Sequence, residues 1–130
     1  MRQEKSETTC RAWWNDRFVN EDDSRAVRLL ADSLTNLAAE PAVQLAYLGA
    51  WSPDELAGDH FAPAFNASWM CTEGLISTRV RDLTERIDAT FTVMSGSRNA
   101  HRWSTEALGN DPGWIEIRAM AREALSLLDR

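Results

Sequence analysis

The stretch from Ile76 to Met94 most constrains the fold. Ile76, Val80, Leu83, Ile87, Phe91 and Met94 recur at steps of four, three, four, four and three residues. That is the period of a single apolar stripe along an α-helix. Such a stripe needs other helices to cover it, so it implies a bundle. Ser77 supplies an N-cap oxygen at its start, and Ser95-Gly96-Ser97 ends it. The β-branched tail at residues 89–94 alternates at Ala89, Phe91 and Val93 and also suits a strand. The uninterrupted step from Ile76 favours the helix, which is expected to be the longest of the chain.

Shorter signals flank it. From Thr9, Cys10, Trp14 and Phe18 fall at helical spacing beside Trp13. Asn20-Glu21-Asp22-Asp23 reads as the start of a second helix, because acidic side chains suit the positive end of the helix dipole. That helix aligns Ala26, Leu30, Leu34 and Leu37 and stops before Pro41. "PAVQLAYLG" is a short apolar helix closed by Gly49. In "WSPDELAGDHF", Ser52, Pro53 and Glu55 spell a capping box, with Gly58 and Pro63 keeping that helix short or irregular. Another short helix is expected over residues 66–73. Ser104 caps a turn that Gly109 ends, and Asp111-Pro112 opens the last helix, whose inner face is Trp114, Ile117, Ala121, Leu125 and Leu128. Trp103 and Trp114 are placed to pin the connection to the core. The fold class is therefore all-α: a compact single-domain bundle of five or six helices over residues 9–130, behind a frayed segment at 1–8. A length of 130 residues suits one domain.

Charge narrows the partners. The net charge of −6 speaks against nucleic acid and anionic membrane, which require a positive face. Residues 1–28 carry six acids and six bases, and residues 79–130 carry eight of each. Between Arg28 and Arg79 there is no Lys or Arg, while Asp32, Glu40, Asp54, Glu55, Asp59 and Glu73 are present. The middle third thus holds the whole net charge, and an acidic surface there suits a basic protein partner. Tyr47, Trp51 and Trp69 lie in that segment and serve as anchors if exposed, although burial is the commoner fate of such rings. No apolar run has membrane-spanning length, and no signal peptide opens the chain, so a cytoplasmic location is expected. Cys10 and Cys71 read as core thiols.

Catalytic patterns are sparse. His101 has Ser104, Glu106 and Asp111 near it in sequence, but no nucleophile elbow accompanies any Ser. A metal site has more substance. "DELAGDH" offers Asp54, Glu55, Asp59 and His60, and the long helix adds Asp82, Glu85 and Asp88. Facing carboxylates of that kind hold Mg²⁺ in all-α nucleotide pyrophosphohydrolases, which is the alternative reading. Arg81 and Glu85, like Asp82 and Arg86, are instead spaced as helix-surface ion pairs. No cofactor, metal or catalytic role is expected.

"QLAYLGAWSPDELAGDHF", followed by "MSGSRNAHRW" and "EALGNDPGWIEIRAMAREAL", is similar to small acidic helical immunity proteins of bacterial contact-dependent inhibition and related toxin systems. That resemblance covers the chain from about residue 10 onward. It implies a stoichiometric inhibitor of a toxin domain, often a cationic nuclease, acting inside the producing cell. The partner-binding residues expected from the charge pattern are Asp54, Glu55 and Asp59 as rim charges, with Trp51 and Tyr47 as anchors.

Overall fold

The structure, a computed structural model, describes residues 9–128 and the side chains of residues 23–128. Among these residues there are six α-helices and one 3₁₀ segment, and no strand. The all-α expectation holds. The helices are α1 (Thr9–Ala38), α2 (Pro41–Leu48), α3 (Asp54–Thr72), α4 (Thr78–Met94), α5 (Ala107–Asn110) and α6 (Pro112–Leu128). The 3₁₀ segment, Ser97–Trp103, links α4 to α5. α1 packs on α3 and α6, and α4 packs on the same two, which closes a four-helix square. Inside it lie Leu30, Leu34, Leu37, Leu56, Met70, Leu83, Ile87, Met94, Trp114 and Ile117, all essentially without exposed surface.

The stripe from Ile76 to Met94 is buried along its whole length, and residues 89–94 are helical. Ser77 caps α4 by accepting from the Val80 amide at 3.1 Å. Asp111 accepts from the Gly113 amide at 2.8 Å, so the cap-and-proline start of α6 also forms. Gly113 is required there for space: a Cβ would sit 2.6 Å from the Met94 sulfur. Trp103 Nε1 donates to the Met94 carbonyl at 2.8 Å and Trp114 Nε1 to that of Arg102 at 2.9 Å. Their rings meet edge to face at 5.5 Å, which fixes the α4–α6 connection to the core as expected.

Three local expectations are corrected. Residues 20–23 do not start a helix; they lie inside α1, which at 30 residues is the longest. The acids there favour an N-terminus, but neither Gly nor Pro interrupts the chain between Thr9 and Pro41. Gly58 and Pro63 do not shorten α3, which runs through both and absorbs the helix expected at 66–73. Burial of Leu56, His60, Pro63, Ala67 and Met70 on one face outweighs the local cost of the two breakers. The capping box at Ser52 is absent, because its hydroxyl donates to the Asp54 carboxylate. The expectations for Cys10, Trp13, Trp14 and Phe18, and for the segment 1–8, lie outside the residues described at that level of detail.

The end of α1 is closed by side chains far away in sequence. Gln44 Nε2 donates to the Asn36 and Leu37 carbonyls at 3.0 and 3.2 Å. Arg122 Nε donates to that of Ala38, and Arg118 Nε to that of Ala39, each at 2.9 Å. Four consecutive carbonyls that a helix terminus leaves without intrahelical partners are thus satisfied, two of them by cations at the negative end of the dipole. Arg118 also donates to Gln44 Oε1 and to the Leu108 carbonyl, which draws α2 and α5 onto the same end of the bundle. Gly49, at φ 58°, turns the chain out of α2 towards α3.

Candidate partner-binding surface

Tyr47 lies in the last turn of α2, Trp51 occupies the loop after it, and Asp54, Glu55 and Asp59 lie in the first turns of α3. The fold brings four of the five together, while Asp54 accepts from the Ser52 hydroxyl and does not line the concavity they share. Tyr47, Trp51, Glu55 and Asp59 line one concavity of about 230 Å³ with Leu48 at its base. The Tyr47 hydroxyl donates to Asp59 Oδ2 at 2.9 Å, and that acceptor is the main reason the phenol is held above its ordinary pKa. Trp51 is 68% exposed and Tyr47 52%. Trp69 is exposed as well, so burial, the commoner fate of such rings, is not the fate of these three. Leu48 and Leu56 are the inward-facing apolar residues at this corner, which leaves the rings on the outer side.

The six acids of the middle third do not form one patch. Glu40, in the α1–α2 connection, accepts from Arg122 of α6 at 2.6 Å. Glu73 follows the far end of α3, about 28 Å from Asp54 at 1.5 Å rise per residue. Glu55 and Asp59 are the ones that cluster next to exposed aromatics, with Asp54 adjacent in the chain and no Lys or Arg in sequence from residue 29 to residue 78. An acidic helix N-terminus is itself favourable, because the dipole stabilises the carboxylates.

The same helix shows a feature the expected residues leave out. Phe61 and Phe65 are 66% and 78% exposed and stack at 6.4 Å, in line with Trp69. Their spacing of four is visible in the sequence. Which of the two apolar faces of α3 turns inward is not.

The catalytic constellations do not assemble. His60 lies at the opposite side of α3 from the solvent, fully buried, bonded to Ser33 and to the Thr84 carbonyl. Asp82 accepts from Arg81 at 2.9 Å, which replaces the expected Arg81–Glu85 pairing. Among the described residues, no three of His, Cys, Asp and Glu gather as metal ligands. Asp111 is held by Arg102 at 3.0 and 3.1 Å, and that guanidinium is the main cause lowering its pKa. Ser104 Oγ accepts from the Ala107 amide and donates to the His101 carbonyl, so neither partner is arranged around the His101 ring. Cys71 is half-buried, with Sγ 3.9 Å from Thr78 Oγ1. No described helix is long and apolar enough to cross a membrane.

No protein-family model, no curated protein and no solved structure matches the chain.

Proposed function

We propose that this chain is a protein-binding module that neutralises a basic bacterial toxin domain by stoichiometric association, as an immunity protein. The observation that carries the reading is the corner where α2 meets α3. Exposed Tyr47 and Trp51 there share a concavity with Glu55 and Asp59, Asp54 precedes them at the start of α3, and no Lys or Arg occurs from residue 29 to residue 78. Large rings supply contact area at little entropic cost, and uniform charge steers an oppositely charged partner and rejects others. Such a surface suits a cationic nuclease domain, which must itself bear a positive face to hold its substrate. Similarity of the helix-cap and tryptophan pattern to immunity proteins points the same way, to action inside the producing cell.

The test is association kinetics with the partner recovered by affinity capture from the native organism. Replacing Asp54, Glu55 and Asp59 together by Ala slows association about tenfold or more at low salt and flattens its salt dependence. An unchanged rate defeats the site assignment. Mg²⁺-dependent hydrolysis of a nucleoside triphosphate that disappears in Glu85→Ala defeats the binding-module reading itself.

A further inference from the structure

α3 carries two apolar faces. One is the buried row of Leu56, His60, Pro63, Ala67 and Met70. The other is Phe61, Phe65 and Trp69, spaced by four and pointing away from the first by helix geometry. Residues 60–72 contain no Asp, Glu, Lys or Arg, so nothing charged interrupts this second row. Single exposed apolar residues need no explanation, but an aligned row of rings marks a contact surface. We propose that a second copy of the chain covers it, with α3 packing antiparallel on α3 about a two-fold axis at Phe65.

Charge along one edge of the row selects that occupant and that direction. The register of α1 against α3 is set by Ser33 Oγ, 2.9 Å from His60 Nδ1. Further along, Arg25 and Leu29 of α1 line a groove with Ala62, Asn66 and Met70 of α3. Glu55, Asp59, Ala62 and Asn66 follow one another at helical spacing on that same edge. The edge is therefore acidic before Phe65 and carries a cation, Arg25, after it. A parallel two-fold turns the two groove edges to opposite sides of the pair, so neither Arg25 meets the other copy's acidic edge. The antiparallel two-fold keeps the groove edges on one side and sets each Arg25 opposite the other copy's Asp59, twice over, as an isologous contact requires. Phe61 then faces Trp69, and Phe65 faces its own copy. Leu29, half exposed, extends the apolar area at the level of the axis. Scaling the 150–250 Å² of an aromatic side chain by the exposed fractions of Phe61, Phe65 and Trp69, the contact buries roughly 550–950 Å² over both copies. That lies below the range of stable specific interfaces and sets a weak, concentration-dependent dimer. The inference does not rest on the toxin-binding reading, although the two surfaces share Asp59.

Sedimentation velocity on the purified full chain, from low micromolar to high hundreds of micromolar, tests it. The weight-average mass is expected to climb from monomer towards dimer. Phe65→Glu stays monomeric at the highest concentration, whereas Val93→Glu, at another exposed apolar position, dimerises like the wild type. Arg25→Glu and Asp59→Arg each weaken dimerisation about tenfold, and combining them restores it, because the reversed pairs again attract. A monomer at every concentration overturns the proposal. So does a dimer that survives Phe65→Glu, or a double variant no better than either single one.

Discussion

Lowering the pH below neutrality presents a proton to an imidazole that the fold holds uncharged. His60 has no exposed surface. Its Nε2 lies 3.1 Å from the Thr84 carbonyl, which can only accept, so Nε2 carries the hydrogen and Nδ1 accepts from the Ser33 hydroxyl. Burial pushes the pKa of His60 below its ordinary 6.5, and this outweighs the opposing pull of the Thr84 carbonyl and Asp88. The unfolded chain therefore takes up this proton near pH 6.5 and the folded chain only at lower pH. The contribution to stability is complete above 6.5 and is lost as pH falls towards the folded-state pKa. One proton of difference sets a limiting slope of about 1.4 kcal/mol per pH unit, so the loss between pH 6.5 and 5.5 has a ceiling of about 1 kcal/mol. The matched variant is His60→Gln, whose amide keeps a donor for Thr84 and an acceptor for Ser33 without titrating. Urea unfolding followed by tryptophan fluorescence at about pH 7.5, 6.5 and 5.5 gives both stability curves. The wild type should lose more stability than His60→Gln over the lower interval, by up to about 1 kcal/mol. Parallel curves would refute the assignment of a buried neutral imidazole.

Other perturbations probe the frame that presents the α2–α3 corner. Trp114→Ala empties the contact with Phe91 and Trp103, at centroid distances of 5.3 and 5.5 Å, and should cost about 3–5 kcal/mol in urea unfolding. Arg118→Met strips a donor from the Ala39 and Leu108 carbonyls and from Gln44 in a buried setting, for a cost of about 3 kcal/mol. Arg122→Met, whose ion pair with Glu40 is exposed, should cost about 1 kcal/mol, and equal losses at the two arginines would contradict the clamp at the end of α1. Ser77→Ala removes the cap of α4 and should lower stability by about 1 kcal/mol, as read by thermal unfolding.

Local chemistry explains what was legible in the sequence. The Ile76–Met94 stripe, the Ser77 cap and the Asp111-Pro112 start each depend on residues within a few positions of one another, and each forms as read. The misread features depend on distant partners. Pro63 looks like a breaker until its burial beside Leu56, His60 and Ala67 is known. Gln44, Arg118 and Arg122 are ordinary polar residues in sequence, yet they satisfy the end of α1 across as many as 84 positions. Periodicity also leaves α3 ambiguous, because Leu56–Met70 and Phe61–Trp69 are both apolar rows. Only packing against α1 and α4 decides which row turns inward and which stays available to a partner.

The central claim is that the acidic, aromatic corner of α2 and α3 binds a basic protein. Its most direct test is a paired affinity capture from the native organism's lysate at low and high salt. The baits are the wild type and the Asp54→Ala, Glu55→Ala, Asp59→Ala triple variant, with bound protein quantified by mass spectrometry. The account predicts one basic protein in stoichiometric amount on the wild type, weakened by salt and lost from the variant. The same protein retained equally by both baits, with no dependence on salt, would contradict it.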